Sequence, residues 1–132
     1  MSASVIVIFV VALLSLRGAQ AQDKKHEFDG EWVGRASSQN SDNCRPGTYQ
    51  ITVKDSQLAG TYDVRVKVRG NYRNDTSKVT GQIQPDGKAE IVLAAVDTNG
   101  RNSKFSGTFT GTEFQGSDTR GRCDYDVKLN RK

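Results

Sequence analysis

Cys44 and Cys123 are the only cysteines in the 132-residue chain. A redox pair wants a Cys-x-x-Cys spacing, and a zinc site wants further Cys or His nearby. Neither is present, so the pair reads as one structural disulfide closing a loop of 80 residues. In the chain-entropy account, a loop of that size contributes about 4 kcal/mol by constraining the unfolded chain. Catalytic groupings are scarce. His26 is the sole histidine and lies in a polar stretch where nothing holds it in register with a nucleophile, so Ser-His-Asp and Cys-His arrangements are not available. Asp124 and Asp126 share one face of a strand, and a carboxylate pair does acid–base work only when burial drives the two pKa values apart. Tyr125, Val127 and Leu129 claim the inward face, which assigns both carboxylates to water. Asp97-Thr98-Asn99 is too sparse for calcium, and no phosphate loop or nucleophile elbow occurs. The chain is expected to be neither an enzyme nor a cofactor or metal carrier.

The remaining chemistry is cationic. Arg65, Lys67 and Arg69 alternate with Val64, Val66 and Val68, and the row is continued by Arg73 and Lys78. In a strand, side chains on one face repeat every second residue, about 7 Å apart, a spacing suited to a polyanion such as lipid head groups or an acidic glycan. The bland alternative is a charged edge that resists pairing with another strand. Aromatic interleaving of the kind found in single-stranded nucleic-acid grooves is missing, and a net charge of +4 is modest, so nucleic acid is not an expected partner.

The elements that must position these groups are short strands. Segments of alternating polarity recur between turn signals, with no helical period. Strands are expected at 30–37, 47–54, 58–69, 77–84, 88–97, 103–110, 112–119 and 122–130. Asp86-Gly87 signals a two-residue hairpin, and Gly70-Asn71 and Asn99-Gly100 mark other reversals. Leu58-x-Gly60-x-Tyr62, Val79-x-Gly81-x-Ile83 and Phe105-x-Gly107-x-Phe109 share one pattern, with Phe114-x-Gly116-x-Asp118 a degenerate fourth copy. Strand glycines that recur in this way mark bends or close backbone approach, as small barrels need to turn corners. The expected fold is all-β, a small antiparallel up-and-down barrel of about eight strands. Ile51, Val53, Val64, Val66, Ile83, Ile91, Leu93, Phe105 and Phe109 are expected to point inward. Whether they fill the interior or leave room for a small ligand is not settled by their number.

Residues 1–21 read as a removable signal helix. Residues 5–14 are apolar and uncharged, and Ala19-Gln20-Ala21 supplies a small-x-small cleavage site. Ten apolar residues do not span a bilayer. The expected organisation is a signal peptide at 1–21, a flexible leader at 22–27, and a single barrel domain at 28–132, secreted or periplasmic and monomeric. Leu, Ile, Val and Phe make up only 17% of residues 22–132, a thin core that gains from a covalent brace. Asn74-Asp75-Thr76 matches a glycosylation sequon, meaningful only in a eukaryotic secretory pathway.

The segment Phe28-Asp29-Gly30-Glu31-Trp32 resembles the Gly-x-Trp opening of the lipocalin and avidin families of eight-stranded barrels. It resembles more closely the Phe-Asp-Gly-x-Trp opening of small exported bacterial proteins, in which an early Cys, Gly-punctuated strands and a late Cys follow. The lipocalin likeness implies that Gly30 and Trp32 sit at the closed end of the barrel beneath an arginine, for which Arg131 and Arg122 are the candidates. The closer resemblance implies a non-enzymatic protein that binds a small ligand or an envelope component. Leu58-Ala59-Gly60-Thr61-Tyr62 is similar to the avidin hairpin whose tyrosine contacts biotin, which makes Tyr62 a candidate ligand contact. Avidin-like sites box biotin with several tryptophans, however, and Trp32 is alone here, so biotin is not the expected ligand.

Overall fold

A computed structural model of the chain describes residues 25–39, 44–95 and 100–132. Residues 1–21, read above as a signal peptide, and the start of the expected leader lie outside the described residues. The strands are β1 (Gly30–Ser37), β2 (Gly47–Lys54), β3 (Gln57–Val68), β4 (Asn71–Ile83), β5 (Lys88–Leu93), β6 (Ser103–Phe109), β7 (Glu113–Arg120) and β8 (Cys123–Arg131). Each pairs antiparallel with the next, and β1 pairs with β8 from Trp32↔Arg131 to Ser37↔Asp126, so the meander closes into an eight-stranded barrel. Closure leaves the body of the sheet without a free edge.

Alternation decides what lies inside. In β2 the pattern is strictly buried and exposed by turns, with Tyr49, Ile51 and Val53 inward. The strand glycines explain how so few residues curl so tightly. A Cβ on Gly60 would stand 2.0 Å from the Gln50 carbonyl oxygen of the neighbouring strand. At that position only hydrogen lets the two backbones approach as coiling requires.

Two hairpins differ from expectation. The loop at Asp86-Gly87 has three residues rather than two: Gly87 N–H donates to Gln84 O, and Gln84 N–H donates to Lys88 O. Gly87 takes φ +90°, the type I turn with a following left-handed glycine that is common in three-residue hairpins. The β3–β4 reversal comes one residue earlier than expected, at Arg69 and Gly70, with φ 51° and 84°. β4 therefore starts at Asn71, six residues before the expected 77. Because β2 stops pairing at Gly47↔Val64 and β5 at Val79↔Leu93, the β3–β4 ribbon runs well past the rim of the barrel.

The loops divide the barrel into two ends. The N-terminal turn and the β2–β3, β4–β5 and β6–β7 turns close one end. The β1–β2, β3–β4, β5–β6 and β7–β8 connections surround the other. Cys44 and Cys123 form the disulfide at this second, open end, with a Cα–Cα distance of 5.5 Å.

Residues 25–27 are not a loose leader. Ser56 Oγ donates to the Lys25 carbonyl at 3.0 Å, and His26 Nδ1 lies 3.0 Å from Asp29 Oδ2 and 2.9 Å from Asp55 Oδ1. These contacts fasten the N-terminal turn to Asp55 and Ser56, a hairpin turn whose two residues both have positive φ.

Candidate functional site

The closed end is a structural plug. Trp32 is fully buried, its indole N–H donates to the Phe28 carbonyl at 2.9 Å, and its ring meets Phe109 edge-on at 4.9 Å. The Arg131 guanidinium lies 5.4 Å from the Trp32 ring centroid and donates to the carbonyls of Gly111, Glu27 and Asp29. Arg122 sits at the opposite end and is exposed, so Arg131 takes the place over the tryptophan. Gly30, with φ +136°, starts β1 beneath Arg131 Nε. His26, Asp29 and Asp55 are the group among the described residues that could offer three ligands to a metal, with their ligand atoms within 4.8 Å of one another. The imidazole Nδ1 is already engaged with both carboxylates, so the arrangement is a polar clasp between the N-terminal turn and the β2–β3 turn.

Beyond Trp32, two groups of aromatic rings line the interior. Phe109 contacts Phe28 and Phe114, and Tyr49 contacts Phe105 and Tyr62. Val64 is half-buried against this core and Val66 is partly covered. Two depressions, one lined by Ala89, Ser106 and Gly107 and the other by Gln50, Gly60 and Thr61, lie on the outer wall rather than inside.

Under the open end lies a polar node. Asp118 projects inward from β7 with 1% exposure and accepts from Ser103 Oγ at 3.0 Å. Arg120, two residues on, turns to the same face. Its Nη2 donates to the Tyr62 hydroxyl at 2.9 Å, and its guanidinium carbon lies 4.1 Å from the Tyr125 ring centroid and 4.9 Å from that of Tyr62. Arg120 Nε and Asp118 Oδ2 stand 2.9 Å apart, an ion pair off the axis of a hydrogen bond. Those two atoms and the Tyr49 hydroxyl are the buried side-chain polar atoms without a hydrogen-bond partner among the described residues. Burial raises the Asp118 pKa above the ordinary carboxylate value against the lowering pull of Arg120 and Ser103. Burial also raises Tyr49, with Tyr62 adding to the effect, and raises Tyr62 despite the Arg120 hydrogen bond and charge. For Arg120 burial acts downward, but the Tyr62 hydrogen bond and the Tyr62 and Asp118 charges leave it raised. The node therefore holds two neutral phenols around a charged guanidinium, with the Asp118 carboxyl group beside it.

Above the node the β3–β4 ribbon projects, and here the structure reorders the basic row. Arg65 and Lys67 face outward, opposite Asn74 and Tyr72. Arg69 is not a strand residue but the apex of the turn. Arg73 is not part of the row: it pairs with Val66 on the other face and bridges to Asp75 at 3.2 Å. The outward face runs on to Lys78, opposite Thr61. Tyr72 packs beneath the row, its ring centroid 4.3 Å from the Arg65 guanidinium and 5.6 Å from Lys67 Nζ. Val68 and Tyr72, 41% and 61% exposed, are the exposed large hydrophobic residues among those described. Arg45, Arg101 and Arg122 are exposed on the neighbouring loops of the same end.

Sequence reading missed Asp118 and Arg120. The available signal was the degenerate glycine repeat, where Asp118 stands in the place that the other copies give to an inward apolar residue. Asp124 and Asp126 are exposed, and Tyr62, a candidate through the avidin resemblance, contacts Arg120 inside the barrel.

No protein-family model matches the chain, and neither a curated protein nor a solved structure does.

Proposed function

We propose that this is an exported, non-enzymatic β-barrel whose open end docks on an anionic surface through the β3–β4 ribbon. The carrying observation is the gathering of Arg65, Lys67 and Arg69 with Val68 and Tyr72 on one element standing clear of the barrel. Arg45, Arg101 and Arg122 extend the cationic surface around the same rim. At the closed end, by contrast, exposed lysines are paired with acidic side chains, as Lys132 is with Glu31 and Lys88 with Asp86. A local cluster of cations of this kind attracts an anion and speeds encounter at low salt. Export is supported by the disulfide, which persists in an oxidising compartment, and by the signal-like residues 1–21. No helix among the described residues is long and apolar enough to cross a membrane.

The test is retention on a sulfated matrix as salt rises. Retention that falls steeply with salt, and is lost when Arg65, Lys67 and Arg69 are all replaced by Gln, is expected. A triple variant retained like the parent would overturn the reading. A second reading, a small ligand seated at the open mouth, is favoured by the three unpartnered polar atoms of Tyr49, Asp118 and Arg120. Native mass spectrometry of protein from its own host distinguishes it, since a ligand would add mass that denaturation removes.

A further inference from the structure

We propose that the anionic surface is a bilayer containing acidic phospholipids, and that the ribbon tip seats in its head-group layer. This rests on the surface-docking reading above and narrows it to one partner. The register carries the argument. Val68, opposite Asn71, lies on the face continuous with the barrel interior, whereas Tyr72, opposite Lys67, lies on the outward face. A polyanionic chain lying along the ribbon would touch one of these residues and leave the other in water. A layer entered by the tip covers both.

The dimensions agree. Val68 lies four residue steps beyond Val64, the last β3 residue paired with β2. At about 3.3 Å per residue the tip stands about 13 Å beyond that rung. The head-group region on each side of a bilayer is about 5–8 Å deep, so the tip reaches the acyl boundary while the barrel stays outside. Seating stops there, because the ribbon edges carry unpaired backbone groups that hydrocarbon would leave unsatisfied. The charges have matching positions. Arg65 and Lys67 are held beside the Tyr72 ring, and Arg69 is at the apex, where long side chains bend back to phosphate. The ribbon's acidic residues are internally engaged and lie toward its base: Asp63 accepts from Thr76, and Asp75 pairs with Arg73.

The experiment is co-sedimentation of the folded, disulfide-bonded protein with vesicles of phosphatidylcholine alone and of phosphatidylcholine and phosphatidylglycerol in equal parts. Binding to the acidic vesicles only is expected. Replacing Arg65, Lys67 and Arg69 by Gln weakens it about 100-fold, from roughly a fivefold loss for each cation removed from the surface. Val68→Ser with Tyr72→Ser abolishes sedimentation while retention on the sulfated matrix persists. A Tyr72→Trp reporter shifts to the blue on mixing, against the constant background of buried Trp32. Retention on the matrix without vesicle binding, or vesicle binding unchanged by the Val68/Tyr72 double substitution, would overturn the lipid inference and leave the surface reading standing. Loss of neither matrix retention nor vesicle binding in the triple Gln variant would overturn both.

Discussion

Each end of the barrel has an arginine over an aromatic ring, but the two are satisfied by different kinds of atom. Arg131, over Trp32, donates to three backbone carbonyls, which are neutral and fixed by the turns that carry them. Arg120, against Tyr62 and Tyr125, is held by a phenol and a buried carboxylate, and three polar atoms around it lack hydrogen bonds. Backbone carbonyls do not titrate and cannot be left charged, whereas a buried carboxylate deprived of its partner is costly. The closed end is thus robust by construction, and the open end is conditional on its side chains.

Replacing the two arginines in turn gives the widest expected separation. Arg120→Met strands Asp118 and costs about 3–5 kcal/mol, as breaking one side of a buried pair does. Adding Asp118→Leu recovers most of the loss, since an apolar replacement of a whole buried pair is often near neutral. Arg131→Met leaves carbonyls that water can reach and costs about 1–2 kcal/mol. Urea unfolding of the three variants measures the order, and equal losses at the two ends would erase the distinction.

A pH series sharpens it further. The folded Asp118 carboxyl has a raised pKa, so its protonated form is the one folding favours. The associated stability is complete below the unfolded value of 3.8 and is lost as pH rises through the folded value. Relative to Asp118→Asn, which does not titrate, the parent should therefore gain stability as pH falls from neutrality toward 3.8. Paired urea midpoints across that range read the difference, and a flat difference would place Asp118 in a more watery setting. The smallest effect concerns Tyr49. Removing its unpartnered hydroxyl as Tyr49→Phe relieves a buried polar group and should stabilise by about 1 kcal/mol. Tyr62→Phe, which takes a partner from Arg120, should move the unfolding midpoint the other way.

The legible part of this molecule was whatever follows from strand periodicity. The bounds of β1 and β2, the inward Tyr125, Val127 and Leu129, and closure into a barrel all follow from alternation and the repeated glycines. The disulfide was legible because two cysteines leave one pairing. The polar node was not, because an i, i+2 pair such as Asp118 and Arg120 looks on paper like any wet strand face. Only the register with β8, which sets Asp118 opposite the inward Tyr125, and the hydrogen bonds to Ser103 and Tyr62 show them turned inward. The placement of Arg73 failed for a related reason. Its face depends on where the chain reverses, and a turn at Arg69-Gly70 rather than Gly70-Asn71 sets it on the valine side. His26 was read as unanchored because its partner Asp55 lies in a turn 29 positions away.

Closure of β1 on β8 has a consequence for the order of events during synthesis. The first strand made shares a hydrogen-bonded seam with the last, so β1 keeps one open flank until the final residues of the chain have emerged. Cys44 likewise meets Cys123 only when β8 arrives beside the mouth. Oxidation of this pair is therefore a chemical timestamp: a chain that carries the bond has already brought its two ends together.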